Sequence, residues 1–310
     1  MACLHYQVAQ ATSIQNVELI AKAGTGQRGI FAENGSGGVM SDITFTGGGY
    51  GIYGGNQQFT AQRLTFNGCD VGVQVIWDWG WVWKSITMKN VKTGFKLLQE
   101  EKKPASKRSK RDGKNSPNGN IGSISVIDSS FEGVGTAVLI APPNSKPGTG
   151  STGVVIEHVS FSGVDKAVAD TSGKTLLAPS AMVDHWALGP VYSSKAARSF
   201  SEGGKITGFH RDSDLTDSKG NYFERQKPQY ENSALGDFVH VKDFGAKGDG
   251  VTDDTAAFQT ALYGSQGKIL FVDAGSYILT GTVTVPVGSK IVGETWSQLV
   301  AKGKYFGDAT

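Results

Sequence analysis

The chain has 310 residues, 43 of them glycine, with 30 Lys or Arg against 28 Asp or Glu and two cysteines, enough for one large or two ordinary domains. A net charge of +2 leaves no electrostatic footprint for nucleic acid, no apolar run approaches the ~20 residues that span a bilayer, and two cysteines exclude a disulfide framework. Glycine is enriched without the three-residue period of collagen, which points to a repeated turn.

Met1 to Gln10 lacks the basic start and apolar stretch of a signal peptide. Val17 to Ile20 reads as a strand with no capping element before it, so the chain is expected to begin inside a repeat. Asn34-Gly35-Ser36 is a glycosylation sequon, a weak signal. From there a pattern F-x-G-x-x-x-G-Φ (Φ apolar) recurs on the anchors Phe45, Phe66, Met88, Phe131 and Phe161, with steps of 21, 22 and then 43 residues. Two residues on stand Gly47, Gly68, Asn90, Gly133 and Gly163; six on stand Gly51, Gly72, Gly94, Ala137 and Ala167; seven on stand Ile52, Val73, Phe95, Val138 and Val168. Short β-branched runs broken by Gly or Asn at a period near 22 predict a right-handed parallel β-helix, one coil per repeat. Gly and Asn would recur because corners need positive φ. Cys69, three after its anchor, reads as a small buried residue.

Coil alignment also nominates a site. Tyr53 and Gln74 lie eight after their anchors and Gln57 and Asp78 twelve after, so the four would form one outward polar patch, with Gln58 beside them. Trp77, Trp79, Trp81 and Trp83 crowd the same stretch, and aromatic faces of this kind stack on sugar rings. No His/Cys cluster has metal spacing, and no cofactor motif is present.

Gln99 to Asn120 holds seven Lys or Arg and three Glu or Asp and reads as a solvated, mobile loop thrown out between coils. Residues 190–237 read as a linker running along a surface. From 238 the chain resumes with a strand at Val239 to Phe244, turns at Gly245 to Gly250, and a helix opened by Asp253 and Asp254 with Ala256, Ala257, Phe258, Ala261 and Leu262 on its apolar face. Strands are expected at 268–272, 277–285 and 290–292. The organisation is thus a first β-helix over 1–189, a linker over 190–237, and about one coil of a second β-helix over 238–310.

The run from Phe238 to Phe258 resembles the opening of pectate-lyase-like β-helix domains. Together with Tyr222-Phe-Glu-Arg-Gln-Lys-Pro-Gln-Tyr230, Gly293-Glu-Thr-Trp-Ser-Gln-Leu-Val300, Gly54-Gly-Asn-Gln-Gln-Phe59 and Trp77-Asp-Trp-Gly-Trp81 it resembles glycoside hydrolase family 55, the fungal exo-β-1,3-glucanases. That resemblance implies two side-by-side right-handed β-helices with the active site between them, secretion, a monomer, and hydrolysis of laminarin-type β-1,3-glucan with inversion. The coil-aligned Tyr53, Gln57, Gln58, Gln74 and Asp78, with Trp77, Trp79 and Trp81, are the residues expected against that substrate. It also implies a general-acid glutamate beyond residue 310, and an internal piece of such an enzyme that does not turn over glucan by itself. Rival readings are a non-catalytic carbohydrate-binding or adhesin β-helix and another polysaccharide-degrading member of the same fold. Polygalacturonase motifs are largely missing, and no coil shows the stacked acids and Arg of a calcium-dependent pectate lyase.

Overall fold

In the computed structural model the described residues are 1–7, 10–98, 121–143, 152–193, 196–208, 210–293 and 295–307; the basic run 99–120 lies outside them. They divide into two compact units, Met1–Gln226 and Lys227–Thr310. No helix among them is long and apolar enough to cross a membrane.

The first unit is a parallel β-helix with three strand faces per coil. On the first face Leu4, Ile30, Ile52, Val73, Phe95, Val138 follow one another in register. On the third face the five anchors stack directly, Phe45 on Phe66, Phe66 beside Met88, Met88 beside Phe131, Phe131 beside Phe161. All are buried, and the Phe45 and Phe66 rings lie parallel at 4.6 Å. The second face runs through Met40, Ala61, Trp83, Val126 and Ile156. Each coil therefore buries one apolar stripe per face against its neighbours, the arrangement that a single repeat cannot achieve alone.

The two glycines of the repeat have different causes. Those two residues after the anchor sit at positive φ, for example Gly68 at 65° and Gly133 at 62°, and turn the corner. Those six after it are not left-handed. A Cβ on Gly51 would come within 2.5 Å of the Phe66 ring, and one on Gly94 within 2.5 Å of the Ala137 carbonyl oxygen. They are small because the next coil and the interior ring press against the backbone there.

Trp81 and Trp83 do not face outward. Trp81 stacks between Phe59 at 5.0 Å and Trp83 at 5.1 Å, and Trp83 meets Phe95 edge-on at 5.0 Å; both indoles are buried. The expectation that Trp81 is a sugar platform is corrected: the interior at this level has room for large rings, and alternation along the strand sends 81 and 83 inward. Cys69 is buried too, and burial pushes its thiol up to about 11.

Residues 183–205 are not linker. Val183–Ser193 pairs antiparallel with Gly153–Ser162, and Ala196–Lys205 pairs back on it, closing the last coil of the second face with a hairpin. Residues 211–226 then lie along the corner between the second and third faces. That corner is a column of non-glycine residues at positive φ: Asn16, Asp42, Arg63, Ser85, Asp128 and His158. Arg211 donates to Asp128 (2.6 Å) and Glu157 (2.7 Å) and lies 4.1 Å above the Tyr222 ring, while the Tyr222 amide donates to the second Asp128 oxygen at 3.0 Å. Glu224 accepts from Lys84 at 2.9 Å and sits 3.4 Å from Arg63, which grips Asp42 with two hydrogen bonds. Gln226 reaches Asn16 at 2.8 Å. The Asp128 side chain is fully enclosed, so its charge depends on these partners.

The second unit has two parallel ladders of three strands, Phe238–His240, Ile269–Val272, Lys290–Gly293 and Asp249–Asp253, Gly275–Leu279, Ser297–Ala301. This is three rungs where about one coil was expected. The helix Thr255–Gly264 packs Phe258, Ala261 and Leu262 into a core with Val241, Leu270 and Tyr277. Asp254 stands at the helix start, but its carboxylate accepts from the Lys247 and Gly248 amides (2.6 and 3.0 Å). Asp253 is the one that accepts from the Thr255 amide, at 3.0 Å.

Two stability outcomes follow from this packing. Phe66→Ala should cost about 3–5 kcal/mol, against within about 0.5 kcal/mol for the exposed Trp79→Ala, read from denaturant midpoints. Arg211→Ala should cost about 2–4 kcal/mol by leaving enclosed Asp128 with only Lys84, at 3.5 Å, as a counter-ion, and the additional substitution Asp128→Asn should recover part of that loss.

Candidate functional site

The strands Tyr50–Asn67 and Val71–Lys84 turn the corner from the first face to the second side by side. Their register changes there. Gly54 pairs with Val75 but Gly55 pairs with Trp77, so Ile76 is an extra residue, a β-bulge. Beyond the bulge Asn56 faces Asp78 and Gln58 faces Gly80. Counting coils by their period placed Gln57 opposite Asp78; the bulge moves that pairing by one residue.

The patch expected to be outward is divided by burial. Tyr53 is enclosed, its ring under the Arg28 guanidinium at 3.8 Å and edge-on to Tyr50 and Phe31 at 5.3 and 5.6 Å. Gln74 is also buried, donating to the Lys96 and Leu98 carbonyls of the next coil (3.2 and 2.6 Å). Asp78 is 1% exposed. These three do not present a polar surface, because first-face neighbours close over the strand.

Gln57, Gln58, Trp77 and Trp79 remain at the surface. Trp77 lies flat on Gly55, whose missing Cβ would sit 2.2 Å from the indole; the ring needs that glycine. Trp79 is 64% exposed. Gln57 accepts from the Ser36 hydroxyl of the previous coil, and its own amide donates to the Asn56 side chain at 2.8 Å. Asn56, buried, also accepts from the Trp81 indole N–H through its carbonyl at 3.3 Å. Sequence reasoning missed Asn56 and Ser36 as supports; the bulge that brings them here has no sequence signature beyond the Gly54-Gly55 pair. It also missed Glu33, which pairs with Gly55 and contacts His5 at 2.9 Å.

Beneath the surface residues Asp78 accepts from the Gly122 amide at 2.6 Å, and among the described residues its second oxygen has no hydrogen-bond partner. Burial raises this carboxyl to about 7, against the lowering effect of the Gly122 and Ser123 amides. The arrangement is two indoles and two neutral amides around a carboxyl that changes charge near neutrality.

A model of the rhamnogalacturonase A/epimerase, pectate lyase-like family matches residues 1–96 and 238–309, more than half the chain. The chain belongs to this family. Among curated proteins it is similar to a glucan 1,3-beta-glucosidase of Cochliobolus carbonum, 35% identical over 98% of this chain and 37% of that protein. A non-secreted LysM effector, LysM19, of Penicillium expansum is 35% identical over 99% of this chain and 24% of its own length. A probable glucan endo-1,3-beta-glucosidase of Arthroderma benhamiae is 29% identical over 99% and 44%. The chain thus spans less than half the length of these relatives.

The raised carboxyl carries a pH signature. A group held protonated in the folded state binds more protons there than when unfolded, so its contribution to stability falls as pH rises from about 4 toward 7, by roughly 1.4 kcal/mol per unit of pKa shift at full effect. Asp78→Asn, permanently neutral, should gain stability relative to the natural chain as pH rises from about 5 to about 8, a range that spans the folded-state value near 7. Parallel melting curves for the two proteins at both pH values check this.

Proposed function

We propose that this chain is the glucan-binding part of a β-1,3-glucan hydrolase of the family 55 type, with Gln57, Gln58, Trp77 and Trp79 in contact with the sugar. The observation that carries the reading is the pair of indoles kept at the surface, Trp77 on Gly55 and Trp79 64% exposed, beside neutral amides. Burying two such rings inside would gain free energy; a surface pair flanked by amide donors and acceptors suits a flat, hydroxyl-rich, uncharged ligand. Tyr53, Gln74 and Asp78 act behind that surface: Tyr53 and Gln74 hold the first face, and Asp78 lies under the indoles.

Inverting hydrolysis uses two carboxyls, an acid for the leaving oxygen and a base for water, about 6.5–9.5 Å apart. Asp78, 1% exposed behind the surface residues, is not placed to act directly in either role. The similarity to a glucan 1,3-beta-glucosidase and to a probable glucan endo-1,3-beta-glucosidase over nearly the whole chain supports glucan as substrate. A second reading, saccharide binding without turnover, draws on the LysM effectors, which match as much of the chain at 35% and 33% identity.

Calorimetric titration of the 310-residue protein with laminari-oligosaccharides tests the site. Trp79→Ala and Gln58→Ala should each weaken binding, Trp79→Ala by roughly 1–3 kcal/mol as a central stacking contact. Unchanged affinity in both would remove the corner from the site. Glucose release from laminarin, measured alongside, separates hydrolysis from binding alone.

A further inference from the structure

The outer surface of the second face holds a groove of about 380 Å³ that begins where the corner site ends. Its floor is a row of small residues in successive coils: Gly80 beside Ser123, Ser123 paired with Gly153, and Gly189 of the closing hairpin against Gly153. Gln58 is the rung before Gly80 in the same row. Alongside run Val82, Ser125 and Val155. The floor is shallow because nothing larger than a hydroxymethyl rises from the first row.

Large rings stand at both ends. Trp79 is 64% and Tyr192 74% exposed, and both line the groove. Gly80 and Gly189 are three rungs apart, about 14 Å at the ~4.8 Å spacing of neighbouring strands. Among the described residues lining it there is no Asp, Glu, Lys, Arg or His. Lys84 and Glu157 of this face lie at the far corner, engaged with Asp128, Glu224 and Arg211, while Glu202 and Lys205 stand exposed on the closing hairpin outside the groove's described lining.

The geometry points to a neutral-glucan path: the groove holds the outer sugar units of a β-glucan chain whose end occupies the Gln57–Trp79 corner. This rests on the reading of that corner as a glucan site. Pyranose C–H faces would lie on Trp79 and Tyr192, and ring hydroxyls would meet the Ser123 and Ser125 hydroxyls. A polyuronate would bring a carboxylate per sugar into a groove whose described lining offers no cation to pair it, which disfavours acidic chains. The unit thereby selects both for chain length and against charge.

The test uses the 310-residue protein, short and long laminari-oligosaccharides, and oligogalacturonates of matched length. Affinity should rise with glucan length. Tyr192→Ala and Ser125→Trp, the second filling the groove, should each weaken the long glucan about tenfold, or ~1.4 kcal/mol, and leave the short one unchanged, while Trp79→Ala weakens both. Melting curves establish that each variant is folded. Long-glucan affinity unaffected by both groove variants overturns the path while leaving the corner reading in place if Trp79→Ala still acts. Tighter binding of oligogalacturonate, abolished by Ser125→Trp, overturns the neutral-glucan assignment, and no binding of glucan at any length overturns both readings.

Discussion

The first unit depends on one contact repeated up the stack: an interior ring pressed against a stretch of backbone that has no Cβ. Phe45 meets Gly29, Phe66 meets Gly51, and Met88 meets Gly72 and Gly94. Each such ring brings roughly 1.5–3 kcal/mol of burial, and it does so only if the neighbouring coil sits one strand spacing away in register. Because a coil touches only the coils above and below it, stability is close to a sum of these local terms. A side chain added at the six-on glycine would therefore separate two coils and weaken every ladder that crosses them.

The tryptophan cluster shows how the same stack makes both core and surface. Trp81 and Trp83 extend the interior column from Phe59 to Phe95, while Trp77 and Trp79, where the strand turns the corner from the first face to the second, stay outside. The bulge at Ile76 re-aims the strand at the corner, a common use of such features near functional surfaces. Gly55 then supplies the seat for Trp77. Site and core are thus two outcomes of one strand, divided by the corner it turns.

Charge is segregated along the unit. The corner between the second and third faces gathers Asp42, Arg63, Lys84, Asp128, Glu157, Arg211 and Glu224 into one connected network. Arg63 holds the Asp42 carboxyl below its usual range, and hydrogen bonding to Asp128 and Glu157 raises Arg211 against its own burial. Using the charges to fix residues 211–226 at this corner keeps them out of the second-face groove, whose described lining holds no Asp, Glu, Lys, Arg or His. A groove so lined, flanked by a satisfied charged corner, can take a sugar chain without competing ion pairs.

The sequence by itself determined the coil. Its period of about 22 residues, the five anchors, the positive-φ glycines and the seven-on aliphatics all reappear as stacked ladders, because repeat period and side-chain alternation are local properties of the backbone. It also identified the surface Gln57, Gln58, Trp77 and Trp79 along with the buried Tyr53, Gln74, Asp78 and Trp81, but could not sort them. Only the tertiary structure decided that, since the strand turns a corner between exposed Trp79 and buried Trp81, and burial of Tyr53 and Gln74 depends on Arg28 and Leu98 from other coils. The hairpin over 183–205 and the path of 211–226 were likewise beyond reach. Their partners, Gly153–Ser162 and the Asp128 corner, are distant in sequence, and nothing in a Ser- and Gly-rich segment records a contact made across the fold.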